Sequence, residues 1–87
     1  MATLYKTNGE IVPIKRKRAF SVCELQKFVG GYFELIPVGT DNFLVVNEEG
    51  RIYGLPVNEN ATKLVAQFGY NIAIVGDALY TEKSLVK

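Results

Sequence analysis

The chain has 87 residues, of which 48% are hydrophobic and 22% charged, a composition typical of one small globular domain. Ten Lys and Arg residues against nine Asp and Glu residues give a formal net charge of +1. This balance argues against a global attraction to nucleic acid or an anionic membrane, and against an acidic mimic of DNA.

The N-terminal residues predict a β-hairpin. Residues 2–7 and 10–14 have the character of two strands, and Asn8-Gly9 between them is the strongest short hairpin signal. A type I′ turn there would need positive φ at both Asn8 and Gly9. Pro13 places the second strand at a sheet edge, because proline cannot donate to a β-ladder.

A short helix follows the hairpin. Ser21 and Glu24 have the spacing of a capping box, in which the serine hydroxyl and the glutamate carboxylate each accept from a free backbone amide. Gly30-Gly31 ends the helix, since glycine best adopts the left-handed conformation of a helix C-terminus. The spacing therefore predicts one short helix between these signals.

The middle of the chain predicts three strands and a second helix. Residues 32–38, 43–46 and 51–54 are separated by turn signals, which indicates an antiparallel meander. Asn58 is a good N-cap for a helix over residues 59–67.

The last strand is predicted over residues 72–81, with a bulge or kink at Gly76-Asp77. The predicted order is therefore β-β-α-β-β-β-α-β. Residues 1–87 are expected to form a single α+β domain, with a mainly antiparallel sheet of about five to six strands and two short helices packed on one face.

The basic run at residues 15–18 is the sharpest charged feature. Lys15, Arg16 and Arg18 are candidates to hold the phosphates of a nucleotide or nucleic acid. The alternative is a solvated loop or strand end, which the overall charge balance favours.

Amide and carboxylate side chains form a second set of candidates. Asn47 and Asn58 could pair their donors and acceptors with a base or ribose, but each also has a local role, at a strand end and a helix cap respectively. Glu48 lies in a predicted turn, where a charged side chain is solvated and needs no ligand to explain it. Neighbouring carboxylates at this turn diverge, so they make a poor acid-base pair.

Catalytic and metal chemistry have little support in the sequence. Cys23 is the single cysteine, and the chain contains no histidine that could serve as its base. No spacing of transition-metal or calcium ligands is present. We therefore predict no enzyme activity, no metal and no cofactor.

Cysteine usage and hydropathy set the expected compartment. A lone cysteine cannot form an intramolecular disulfide, which favours a reducing environment. The sequence has neither the long apolar segment of a signal peptide nor the ~18 apolar residues of a membrane helix. We expect a soluble cytoplasmic protein without membrane contact, and leave a homo-oligomer open.

Several motifs in a fixed order carry a resemblance that covers about residues 21–80. They are Leu25-Gln26, Val29-Gly30-Gly31-Tyr32 followed by Glu34, Asn47-Glu48-Glu49-Gly50, Leu55-Pro56-Val57-Asn58 with Ala61-Thr62, and Val75-Gly76-Asp77. With these motifs the chain resembles a family of small phage and plasmid proteins, the domain of unknown function numbered 3846. The family implies a genomic setting, but its name assigns no activity or mechanism. The basic run lies outside the pattern.

The resemblance and the composition together predict a non-enzymatic binding module. We expect a phage or mobile-element accessory protein that acts on a host process in the host cytoplasm, by binding a host protein or a small nucleotide-like ligand. One version sequesters a nucleotide immune signal, and the alternative inhibits a host enzyme or defence complex. Gln26 and Glu34 belong to the same pattern as Asn47 and Glu48, so the two segments are expected to face each other.

Overall fold

The computed structural model describes residues 2–86. The elements are β1 (Ala2–Tyr5), β2 (Ile11–Ile14), α1 (Val22–Val29), β3 (Phe33–Val38), β4 (Asn42–Asn47), α2 (Glu59–Ala66), β5 (Ala78–Glu82) and a short 3₁₀ helix (Lys83–Leu85). The predicted α+β class with a five-stranded antiparallel sheet and two helices is confirmed.

One sheet contains all five strands, in the order β2-β1-β5-β4-β3, and every neighbouring pair is antiparallel. The hairpins β1–β2 and β3–β4 are not paired with each other in the sheet. Strand β5 lies between them and pairs with β1 on one side and β4 on the other. The C-terminal strand is therefore what joins the two halves of the chain into one sheet.

The helices lie on opposite faces of the sheet, so the prediction that both pack on one face was wrong. Leu25 and Val29 of α1 belong to a core cluster with Val45, whereas Ala61 of α2 belongs to a second cluster with Leu44. Adjacent strand residues point to opposite faces. The apolar run at residues 43–46 is consistent with this arrangement, because a strand buried on both faces need not alternate.

Both edges of the sheet carry a proline. Pro13 of β2 pairs with Thr3 and Pro37 of β3 pairs with Phe43, each at a position where its missing amide would face away from the neighbouring strand. The Tyr70 hydroxyl donates to the Pro37 carbonyl at 2.5 Å. The predicted edge position of Pro13 is confirmed, and both edges are poor templates for another strand.

The first hairpin turn differs from the predicted type I′. Gly9 has a φ of 94°, but within residues 2–86 no residue other than glycine has positive φ, which excludes a I′ turn at Asn8. The Gly9 amide donates to the Lys6 carbonyl and the Lys6 amide to the Glu10 carbonyl. This is the three-residue loop in which one glycine alone takes the left-handed position.

Residues 51–54 and 72–77 were predicted as strand but do not belong to a strand. Residues 51–54 form turns, and β5 begins at Ala78 instead of residue 72. Gly76 has a φ of 79°, which breaks the extended chain just before β5. Both predicted helix starts are confirmed, with the Ser21–Glu24 capping box on α1 and the Asn58 cap on α2.

Candidate functional site

The end of β4 is fastened to the end of α1 by one buried side chain. The Nδ2 atom of Asn47 donates to the Val29 carbonyl at 3.0 Å, and its Oδ1 atom accepts from the Glu49 amide at 2.8 Å. The Glu48 amide donates to the Tyr32 carbonyl at 2.9 Å. The segments containing Asn47 and Tyr32 therefore face each other, as the shared pattern predicted.

The loop after β4 is folded back on the chain before β5. Gly50 is buried, and a Cβ atom there would lie 2.7 Å from the Val75 side chain. The Leu55 amide donates to the Gly50 carbonyl at 2.9 Å, and the Arg51 guanidinium donates to the Ala73 carbonyl at 3.0 Å. These contacts hold the loop against the domain on its inner side.

The outer side of the same loop, together with neighbouring residues before β3 and before β5, presents apolar and aromatic side chains to solvent. Their exposed fractions are 65% for Tyr32, 79% for Ile52, 66% for Tyr53 and 41% for Ile72. These four residues are called the loop patch below. An anchored loop that exposes large apolar side chains is typical of a contact surface.

Two depressions adjoin the loop patch. The first, called the tyrosine groove, is an open groove of about 360 Å³ lined by Gln26, Gly30, Gly31, Tyr32, Glu49 and Tyr53. The second, called the cleft, has about 110 Å³ and is bordered by Glu34, Glu48, Ile52 and Ile72 among others. Drug-sized ligands occupy sites of roughly 300–1,000 Å³, so the cleft is too small to enclose one.

Four of the predicted site residues come together here. Glu34, Asn47 and Glu48 line the cleft, and Gln26 lines the tyrosine groove. Within residues 2–86 the side chains of Gln26, Glu34 and Glu48 have no hydrogen-bond partner, so they are available to a ligand. The Asn47 amide already has two protein partners.

Asn58 lies elsewhere, in the core. Its side chain is fully buried; Nδ2 donates to the carbonyls of Tyr5 at 2.7 Å and Gly76 at 2.9 Å, and Oδ1 accepts from the Ala61 amide at 3.1 Å. Both amide protons and the carbonyl oxygen are in use. In the folded protein Asn58 joins β1, α2 and the segment before β5.

The basic run lies at the other end of α1 from the tyrosine groove. The Arg16 guanidinium makes a two-pronged ion pair with Glu24 and lies 4.7 Å from the centroid of the Phe20 ring. Hydrogen bonds from Arg16 and from the Ser21 amide hold the pKa of Glu24 at about 2. Lys15 and Arg18 are exposed. An eight-residue helix is ~12 Å long, which separates this cluster from the groove.

Reasoning from the sequence missed Ile52 and Ile72, and it did not say which tyrosines are exposed. The sequence does contain a signal that Ile52 is exposed, because Ile52-Tyr53 stands between Gly50 and Gly54 in a segment with two turn signals. The predicted strand over residues 51–54 would bury one of the two side chains, because adjacent strand residues point to opposite faces. Only the folded loop exposes both.

Some site types find no support in the part of the chain that the structure describes. Residues 2–86 contain no group of three His, Cys, Asp or Glu side chains placed to hold a metal ion. None of the helices described is long and apolar enough to cross a membrane. The Cys23 thiol is free and exposed.

Fold and site together define a small α+β domain with an exposed apolar patch and two shallow depressions beside it. Residues 3–84 match the model of the domain of unknown function DUF3846, and the chain belongs to that family. The resemblance seen in the motifs is thereby confirmed. No curated protein and no solved structure matches the chain.

Proposed function

We propose that this protein is a non-enzymatic binding module that acts by contacting a host protein through the loop patch. The observation that carries the proposal is the exposure of Ile52 and Tyr53 on a loop whose inner side is anchored, with Tyr32 exposed beside them. Side chains of this kind at the centre of an interface contribute most of the binding free energy. The proposed role is that of an accessory protein of a phage or mobile element, which rests on the resemblance to small phage and plasmid proteins.

The charges around the loop patch indicate what kind of protein surface would fit. Glu34 and Glu48 border the cleft, and Glu49 lines the tyrosine groove. Arg51 borders the cleft too, but one of its guanidinium nitrogens donates to Ala73. A partner with an apolar centre and a basic rim would complement this arrangement and gain specificity from it.

The version in which the protein sequesters a nucleotide signal has weaker support. Cationic side chains strengthen the binding of a nucleotide's phosphates, but Arg16 is paired with Glu24 at the far end of α1. Asn58, another expected ligand, is buried and fully hydrogen-bonded. Calorimetry with linear and cyclic dinucleotides tests this version, and binding that Gln26→Ala weakens would revive it.

Site-specific cross-linking in host cells tests the protein-binding proposal. A photoreactive phenylalanine analogue at Tyr53 should trap a specific partner, identified by mass spectrometry. Adding Ile52→Asp should reduce the cross-linked product at least roughly tenfold, since it puts an unpaired charge in the centre of the interface.

Ile11→Asp is the matched control. Ile11 is 54% exposed and lies on β2, at the opposite edge of the sheet from β3. It should leave the yield of cross-linked partner within about twofold of the parent, because surface substitutions outside an interface have small effects. Equal yields from the Ile52→Asp and Ile11→Asp proteins would contradict the proposal.

A further inference from the structure

The tyrosine groove combines two ring systems with a carboxylate. Tyr32 and Tyr53 line it, their side chains about two-thirds exposed. The hydroxyl of Tyr53 lies 3.5 Å from Oε1 of Glu49, so the carboxylate and one ring adjoin. The faces of aromatic rings attract cations, because their quadrupole places negative charge there.

The backbone at the groove adds negative potential. Gly30 and Gly31, which line it, are the first residues beyond the C-terminus of α1, and both their amides donate back to the Gln26 carbonyl. The C-terminal end of a helix carries a partial negative charge. With those two amides turned inward to the helix, they are not available to an anion in the groove.

No cationic side chain opposes this potential from within the groove. The residues of the described chain that line it include neither Lys nor Arg. Lys27, the basic residue in the last turn of α1, lines a separate depression together with Asp77. A carboxylate, two aromatic rings and a helix C-terminus around one open groove would attract a cation and repel a phosphate.

We propose that the tyrosine groove binds an organic cation, an alkylammonium or guanidinium group, between Tyr32 and Tyr53 with Glu49 as its counter-charge. Gln26 has a free side-chain carbonyl that can accept a hydrogen bond from the same group. The proposal deepens the proposed function, because the cation can be a Lys or Arg side chain on the basic rim of the protein partner. A free polyamine has the same chemistry.

The test is an NMR titration of the isolated, ¹⁵N-labelled chain with three probes: spermidine, the peptide acetyl-Gly-Arg-Gly-amide, and adenosine monophosphate as the anionic probe. We expect the amide signals of Gly30, Gly31 and Glu49 to shift with a cationic probe and not with the nucleotide. A response to the peptide alone identifies the ligand as a side chain of a protein. A response to spermidine alone identifies it as a free polyamine.

Substitutions at exposed positions identify the groups that bind. Glu49→Gln should weaken cation binding roughly threefold to fivefold, the range for one exposed charge pair. Tyr53→Ala should weaken it by a similar factor through loss of a ring face, whereas Tyr53→Phe should stay within about twofold. Glu48→Gln is the matched control: it removes the same charge one residue away, from the cleft instead of the groove.

Equal effects of Glu49→Gln and Glu48→Gln would overturn the proposal, since only a diffuse charge effect would then remain. Absence of shifts with both cations, or stronger binding of adenosine monophosphate, would also overturn it. These titrations need no protein partner. Their failure therefore leaves the cross-linking test of the loop patch intact, and failure of that test leaves cation binding measurable.

Discussion

The junction around Asn58 and the cleft beside the loop patch use polar side chains in opposite ways. At the junction, a fully buried amide satisfies two carbonyls and one backbone amide from three parts of the chain. In the cleft beside the loop patch, Glu34 and Glu48 stay exposed without hydrogen-bond partners inside residues 2–86. A polar residue that holds a fold has its bonding capacity filled by the protein, and one available for a ligand does not.

The largest effect we expect is on the junction. Asn58→Ala should lower the free energy of unfolding by about 3 kcal/mol, because it removes the core hydrogen bonds to the Tyr5 and Gly76 carbonyls and from the Ala61 amide. Urea denaturation measures the change. Asn58→Asp keeps the oxygen that caps the helix, but it replaces the donor nitrogen with a second oxygen that faces the two carbonyls. The Asn58→Asp protein should therefore be no more stable than the Asn58→Ala protein. A loss under about 1 kcal/mol in Asn58→Ala would remove the contrast with the loop patch.

The next effect falls on the base of the patch. Gly50→Ala places a Cβ atom 2.7 Å from the Val75 side chain, whose branched Cβ gives it little freedom to move. Overpacking should cost about 2 kcal/mol of unfolding free energy and shift the loop. Gly54→Ala is the control: Gly54 has a φ of 67° but no atom close to an added Cβ, so about 1 kcal/mol of backbone strain is expected. A larger loss in Gly54→Ala would contradict the packing account.

The ion pair at the start of α1 lies between these extremes, because it is structural yet open to solvent. The folded-state pKa of Glu24 is about 2, below its ordinary 4.5, so the carboxylate stabilises the fold above pH 4.5. That contribution should be lost as the pH falls from about 4.5 to about 2. Glu24→Gln should flatten the dependence of unfolding free energy on pH in this window, measured by urea denaturation across pH. If Glu24→Gln left the slope of unfolding free energy against pH unchanged, Glu24 would not be the source of this pH dependence.

The smallest effect on stability belongs to the loop patch itself. Ile52→Asp should change the unfolding free energy by no more than about 0.5 kcal/mol, because a side chain that is 79% exposed contributes little burial. Thermal denaturation followed by circular dichroism measures it. A loss of several kcal/mol would mean that Ile52 packs as part of the core, and the distinction between the two regions would fail.

Local features of the fold could be predicted well from the sequence. The Ser21–Glu24 capping box and the Asn58 cap depend on residues three positions apart, so their geometry follows from the helix alone. The edge position of Pro13 follows from its missing amide. The expected closeness of the segments around Gln26 and Asn47 came from the family resemblance and is confirmed by contacts that Asn47 makes.

The candidate site was harder to predict. Arg16 and Asn58 have chemistry suited to a ligand, but both use it on the protein's own backbone and side chains. Whether a donor finds a partner inside the protein depends on residues far away in sequence, as with Asn58 and Tyr5. Ile52 is the reverse case, an apolar side chain that no packing partner covers.

The helix starts, the edge proline and the α+β class can be predicted from local residues, because they depend on backbone geometry and on short-range hydrogen bonds. The pairing of β5 with both hairpins, the placement of the helices on opposite faces and the groove shared by Tyr32 and Tyr53 arise only when the chain folds. The physical reason is that strand pairing and burial depend on which distant segments meet, and a single residue's chemistry does not encode its neighbours in space.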